Sequence, residues 1–429
     1  MTFFSDIMAT LFERRAARPA DPSKGPVTEL CAALLSSQGE VSGVRLARDI
    51  LSHYRAMDQN ARRAFFDYLA GDLDIDPARV SEAAAAYAQS RAAKDLARLA
   101  HEAEPRRQQL FRRLNQAPGA TGELVRMRLD LLRMLPDAPE LAVIDVDFRQ
   151  LFASWFNRGF LVLRHIDWRT PANILEKIIE YEAVHAINDW SELQRRLRPA
   201  DRRCFAFFHP ALPEEPLIFV EVALCQGVPG SVQALLAEER ETLTEFDTAV
   251  FYSISNCQDG LRGISFGNLL IKQVVEELKR DLPQIGRFVT LSPIPGLARW
   301  LRDQAADRAQ AQAVLDAAGQ GDGALRGQAD ALRVLATEYL LVAKRPDGLP
   351  IDPVARFHLG NGAMIHDVHA LADISQNGIR QSCSAMVNYL YDLAKVEENN
   401  ERFVEERKVA AARPVLNLLA QRNNAGRRP

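Results

Sequence analysis

Residues 251–279 read FYSISNCQDGLRGISFGNLLIKQVVEELK. An apolar, aromatic run opens the segment as a strand. Gly260, Gly263 and Gly267 follow, and these let the backbone turn and be approached closely. From Leu269 to about Leu282 the spacing predicts a helix. Leu270, Val274 and Leu278 make one apolar stripe with Ile271 and Val275 beside it, and Lys279 and Arg280 sit in the last turn, where cations suit the dipole. Backbone N–H groups at such a helix start can cradle a phosphate. No Gly-Lys-Ser/Thr follows, so this is not a P-loop, and it is not a clean GxGxxG. Glycines that only shape a strand-to-helix turn would read the same way.

Outward from this segment the pattern is that of short strands between helices. Strands are expected at Phe160–Leu163, Cys204–Phe208, Leu217–Ala223, Ala249–Ser255 and Phe288–Leu291. The run LIFVEVALCQG (217–227) is apolar almost throughout and predicts a strand covered on both faces. Residues 297–345 read as helix interrupted by a Gly-rich loop, AAGQGDGALRGQ (317–328), and residues 394–421 as one charged helix. Upstream of about residue 157, Ala, Arg, Leu and Glu dominate and the chain reads as helix throughout. There Ser81 is the expected N-cap of a helix over 81–103, and Leu124, Met127, Leu131 and Leu135 share a face. The expected fold is α+β: an all-helical N-terminal bundle domain over residues 1–157, used for packing or oligomerisation, then a second domain over 158–429.

Composition narrows the function. The chain has 429 residues, 47% of them hydrophobic and 25% charged, as in ordinary globular proteins. Its net charge of -3 argues against a general attraction to nucleic acid or to an anionic membrane. No apolar run is long enough to span a bilayer. Five cysteines, an odd number with no CxxC spacing, speak against a disulfide framework or a zinc ribbon and fit a reducing compartment. Asp6 and Glu13 speak against a targeting presequence, so a cytoplasmic location is expected.

Three further segments gather residue types suited to chemistry. In VTLSPIPGLARWL (289–301), Ser292 stands at a strand end before two prolines that stiffen the turn. Its hydroxyl could reach into a cleft or merely cap the next helix, and the absence of GxSxG argues against a nucleophile elbow. In PVARFHLGNGAMIHDVHALAD (353–373), His358 stands in a strand-like run before a Gly-Asn-Gly turn and could act as a general acid. His366 and His369 would share a face if helical, but two histidines alone are a poor metal site. In QSCSAMVNYLYDL (381–393), Asn388 and Tyr391 share a face if the segment is helical, and could reach a ligand or pack in the core.

Together these segments resemble the malonyl-CoA decarboxylase family. The resemblance is carried in order by WFNRGFL (155–161), EAVHAINDW (182–190), FYSISxxQxGLxG from 251, LSPIPG (291–296) with Trp300 after it, FHLxNGA (357–363) and ADISxxGI (372–379). It implies a helical oligomerisation domain, with a homo-oligomer, a tetramer, expected. It also implies a catalytic domain with the acetyltransferase (GNAT) fold, malonyl-CoA as substrate and a place in fatty acid metabolism. Residues Arg262, Gly263, Ile264, Ser265, Phe266, Gly267 and Asn268 would fall on the family's CoA-binding loop, with Ser265 where the general acetyltransferase loop has its middle glycine. Ser292 and His358 match the catalytic pair, and Asn388 and Tyr391 are taken as supporting substrate-binding residues. No metal or cofactor is required, because the thioester itself is the electron sink. The alternative on the same fold is a CoA-dependent acyltransferase.

Overall fold

The computed structural model of the chain describes residues 26–36, 39–237, 245–264 and 267–425. The N-terminal stretch with Asp6 and Glu13, and the loop residues Ser265 and Phe266, lie outside them. Two compact units result. One holds the chain up to Phe160 together with Pro210–Leu212 and Gln258–Ile264; the other holds Leu161–His209, Pro213–Cys257 and the chain after Ile264.

The first unit is helical, as expected: Val27–Ser36, Glu40–Ala56, Gln59–Gly71, Pro77–Ser90, Ala93–Glu102, Arg106–Leu114, Ala120–Met134 and Ala142–Trp155. The expected helix over 81–103 is two helices, and Ser81 is not its cap. Asp76 is: its carboxylate accepts the N–H groups of Ala78 and Arg79, and Pro77 fills the first helical position, where no N–H is needed. Ser81 lies inside the helix and donates to the Pro77 carbonyl at 2.8 Å. The first helix ends at Arg91 in the left-handed region (φ 48°). Leu124, Met127 and Leu131 are buried and Leu135 half-buried, on the face their spacing predicts.

The Gly-rich turn begins in this unit. Residues Asp259–Leu261 form a short 3-10 turn. A Cβ on Gly260 would come within 2.1 Å of the Val125 carbonyl oxygen, so only glycine fits there. The Arg128 guanidinium donates to the Gly260 carbonyl at 2.7 Å and to Asp145 at 2.8 Å. Packing on the helix Ala120–Met134 therefore accounts for this glycine without a ligand.

The second unit is built on one mixed sheet: β1 Val162–Ile166, β2 Arg202–His209, β3 Leu212–Cys225, β4 Thr248–Asn256, β5 Arg287–Thr290, β6 Ser292–Pro293, β7 Met364–His369 and β8 Met386–Leu390. The order is β1-β2-β3-β4-β5-β8-β6, with β7 on β8. The five expected strands are present with shifted ends. Strands β7 and β8 replace the helices considered for 366–369 and 388–391. β3 is buried on both faces through its centre, Leu217–Leu224, as its apolar run predicts. The single charge in that run, Glu221, is fully buried and accepts from Arg196 at 2.9 Å.

Pairing between β4 and β5 is parallel. Their register ends at Phe251 opposite Thr290, and Leu291 N–H donates to the Phe251 carbonyl at 3.0 Å. One residue later Ser292 pairs with Val387 of β8 instead, while β4 runs on to Asn256 beside β3. β4 and β5 thus part at the residue preceding Ser292.

The helix after the turn spans Gly267–Asp281 and buries Leu270, Val274 and Leu278 with Ile271 and Val275. The Gly-rich stretch 317–328 is not a loop. Its chain is nearly all helix, within Ala309–Gln320 and Asp322–Arg326, and breaks at Gly321 (φ 101°). The charged C-terminal segment is two helices, Val396–Glu406 and Arg413–Ala425, separated after Arg407 takes a left-handed φ of 57°.

Candidate active site

Ser292 and His358 come together. Ser292 forms the start of β6, directly after the parting of β4 and β5, and is 5% exposed. The glycine of the SPIPG turn is required by packing, since a Cβ on Gly296 would lie 2.1 Å from the Tyr339 hydroxyl. His358 is on a helix, not in the strand-like run expected. Asp352 caps Pro353–Leu359 through the Ala355 N–H at 2.9 Å, Pro353 takes the first position, and Gly360 ends the helix. This places His358 in the last turn, 2% exposed. The Gly-Asn-Gly turn then reverses the chain at Gly362, whose φ is 80° and whose missing Cβ leaves room for the Val396 carbonyl.

The side chains form one hydrogen-bonded row. Ser292 Oγ lies 3.2 Å from His358 Nε2. His358 Nδ1 lies 2.8 Å from the Tyr391 hydroxyl. On its other side Ser292 Oγ donates to Thr290 Oγ1 at 2.8 Å. The imidazole stacks on Tyr389 at 4.5 Å between centroids, with planes 24° apart. Phe357 meets the ring edge-on at 5.0 Å.

Burial is the chief influence on protonation here. It lowers the His358 pKa to about 3, so the resting imidazole is neutral. The imidazolium that a general acid would need is not the resting form. The Tyr391 and Tyr389 phenols are pushed well up by the same desolvation and stay protonated.

Asn388 and Tyr391 are both drawn to this row, but not by a shared helical face. Asn388 lies within β8, fully buried, and Tyr391 just past its end. Tyr391 touches the imidazole directly. Asn388 stands behind it, donating to the Thr290 carbonyl at 2.8 Å and to the Pro229 carbonyl at 3.2 Å, with His369 Nε2 on its Oδ1. His369 is thus part of the support for the row. Among the described residues no group of three or more His, Cys, Asp or Glu side chains could hold a metal ion.

The expected CoA-binding loop divides between the two units. Arg262, Gly263 and Ile264 end the segment that packs with the helices. Arg262 is exposed and 3.5 Å from Asp259, and Gly263 takes φ 81°. Gly267 and Asn268 open the helix Gly267–Asp281 of the sheet unit, so their backbone N–H groups lie in its first turn.

The sequence alone gives no role to Thr290 of the row or to the Tyr389 ring stacked on its imidazole. Thr290 carries a weak signal: it stands two residues before Ser292, the spacing that puts two strand side chains on one face. Tyr389 carries none beyond being aromatic in a strand.

A buried hydroxyl held against an imidazole, itself held by a phenol, at the parting of two parallel strands, is the equipment of an acid–base enzyme. The chain belongs to the malonyl-CoA decarboxylase family, and is a carboxy-lyase by that membership. Residues 159–428 match the malonyl-CoA decarboxylase C-terminal domain and residues 73–156 the malonyl-CoA decarboxylase N-terminal domain. The chain is 32% identical to the mitochondrial malonyl-CoA decarboxylase of Anser anser anser over 424 residues, covering 88% of this chain and 84% of that one. The corresponding Mus musculus protein is 32% identical, over 88% of this chain and 85% of its own. Among solved structures, malonyl-CoA decarboxylase from Rhodopseudomonas palustris superposes with TM-score 0.85 at 50% identity, over 91% of this chain and 98% of that one. The Agrobacterium vitis protein gives 0.86 at 48%, over 92% and 99%.

Proposed function

We propose that this chain converts malonyl-CoA to acetyl-CoA and CO2 at the Tyr391–His358–Ser292 row, with His358 delivering the proton. That hydrogen-bonded row is the observation that carries the reading. Loss of CO2 breaks the bond between the carboxyl carbon and the α-carbon. The electron pair passes onto the thioester as an enolate, and one proton must then be placed on the α-carbon. The enzyme's tasks are to orient the carboxylate, stabilise the oxyanion and supply that proton. Ser292 orients the imidazole in the resting site and, with substrate bound, turns its hydroxyl to a substrate oxygen. A neutral imidazole is a poor acid, but the substrate carries negative charge into the site, first as carboxylate and then as enolate. A neighbouring negative charge raises the proton affinity of His358, so the proton is taken up with the substrate. One proton is consumed per turnover, and solvent restores it. The helix start at Gly267 and Asn268, with Arg262–Ile264 before it, is the stretch we assign to CoA.

We assign residues 1–157 to an oligomerisation domain and 158–429 to the catalytic domain, and expect a homotetramer in the cytoplasm. Val143 and Val146, exposed on the helix Ala142–Trp155, support an association surface in the first. Five free cysteines accord with a reducing compartment.

The test is purified protein with malonyl-CoA alone, followed by mass spectrometry, with His358→Ala and Ser292→Ala in parallel. Stoichiometric acetyl-CoA and CO2 are expected, with kcat falling at least about 10²-fold in each variant. Intact malonyl-CoA with folded wild-type protein would overturn decarboxylation in favour of acyl transfer. Near-normal turnover by the variants would overturn the site.

A further inference from the structure

We propose that Thr290 is a positioning residue that fixes the direction of the catalytic hydrogen bonds, keeping the imidazole proton of His358 on Nε2, where the reaction needs an acid. The inference rests on the assignment of Ser292 and His358 above.

Thr290 ends β5 and is fully buried. Its Oγ1 accepts the backbone N–H of Tyr389 at 3.2 Å, a donor that cannot reverse. Its carbonyl is held by Asn388 at 2.8 Å. Backbone and side chain are therefore both anchored, and the hydroxyl oxygen accepts from Ser292 Oγ at 2.8 Å.

Ser292 has one proton and two neighbours. The contact to Thr290 has the length usual for O–H···O, whereas the contact to Nε2 is longer, at 3.2 Å. A Ser292 proton committed to Thr290 leaves only lone pairs facing the imidazole. That contact is a hydrogen bond only if Nε2 carries the hydrogen. Nδ1 is then bare and accepts the Tyr391 hydroxyl at 2.8 Å. This direction pairs the most acidic donor of the row, a phenol, with its best acceptor, an imidazole lone pair. The reverse direction would put an imidazole N–H on a phenol oxygen and strand the Tyr391 proton, the most acidic of the row, whereas the proposed direction strands only the less acidic Thr290 proton.

The two directions suit different chemistries. With hydrogen on Nε2, and a second proton taken up at Nδ1 as the substrate binds, the ring presents an acid beside Ser292, as protonation of an α-carbon requires. With Nε2 bare it presents a base, which takes the serine proton and makes a nucleophile. Without Thr290 the serine proton has nowhere to go but Nε2, and the pair turns toward attack on the thioester. That step would form an acyl–serine, release CoA as thiol, and finish with hydrolysis by water.

The imidazole 15N resonances of the resting enzyme report the tautomer directly, with His358 assigned by its absence in His358→Gln. Wild type is expected as the Nε2–H form. Thr290→Val removes the acceptor at nearly constant volume. The expected result is a shift to the Nδ1–H form, a kcat about tenfold lower with KM little changed, and free CoA appearing from malonyl-CoA. Thr290→Ser should restore tautomer and turnover together. If the valine variant does not fold, Thr290→Ala serves the same comparison. A wild-type Nδ1–H form, or a variant that keeps tautomer and kcat within twofold of wild type, overturns the proposal. The tautomer is read without substrate, so an inactive wild type would sink the decarboxylase reading alone, and an active one with an unmoved tautomer would sink this inference alone.

Discussion

The helical unit and the catalytic end of the sheet both bury polar side chains, by opposite means. In the helical unit Arg107 and Asp147, each 4% exposed, form an ion pair, and Arg107 also reaches Asp74 at 2.7 Å. Gln108 fills the remaining oxygen of Asp147 at 2.5 Å. Every donor there has a fixed sense, because a guanidinium only donates and a carboxylate only accepts. At the catalytic end Tyr391, His358, Ser292 and Thr290 are neutral, and each can donate or accept. The first arrangement holds helices in place. The second can pass a proton. The contrast breaks most visibly in Arg107→Leu, which leaves Asp147 as an uncompensated buried charge. A loss of about 3–5 kcal/mol in urea unfolding is expected, with kcat per folded molecule unchanged. A loss under about 1 kcal/mol would mean the pair is more solvated than its burial indicates.

A smaller effect separates the two regions by pH. His358 is lowered to about 3 by burial, against an ordinary value of 6.5. As pH falls from 6.5 to 5, the unfolded chain takes up a proton at this residue and the folded one does not. Stability is therefore lost as pH falls through this window, by about 2 kcal/mol from this group. Denaturant titrations at both pH values should show that loss in wild type and a loss smaller by about 2 kcal/mol in His358→Gln. Equal slopes in the two proteins would mean that the resting imidazole is charged, and the neutral row would have to be redrawn.

What the sequence disclosed follows the range of the forces involved. Helical periodicity and apolar strand runs are local, so the helical first unit, the helix Gly267–Asp281 and the buried β3 were legible. The site was legible as residue types and motifs, Ser292 in SPIPG and His358 in FHLGNGA, and the structure joins them at 3.2 Å. Their surroundings depend on pairing between distant segments. Asn388 lies on a strand because β8 finds β7 and β5, and no spacing within 381–393 announces that. Thr290 acquires its meaning from Tyr389, ninety-nine residues away. Other differences from the expected elements rest on local signals. Asp352-Pro353 ahead of His358, ending at Gly360, is a helix start and stop in plain residues. Asp76-Pro77 is the same signal and outweighs Ser81 as the cap.

That last pair offers the finest discrimination, because one helix of the first unit carries both candidates for its cap. Asp76 Oδ1 takes the N–H groups of Ala78 at 2.9 Å and Arg79 at 3.3 Å, satisfying two donors the helix cannot satisfy itself. Its negative charge also faces the positive end of the dipole. Ser81 bonds back to the Pro77 carbonyl, which already belongs to the helix, so its hydroxyl competes with the backbone and adds little. Asp76→Ala should cost about 1 kcal/mol. Ser81→Ala should lie within about 0.5 kcal/mol of wild type, since alanine recovers in helix propensity what the hydroxyl gave. If the serine substitution proved the costlier in thermal or urea unfolding, the helix would begin at residue 81 in solution, and the first turn drawn from Pro77 would be the part to give up.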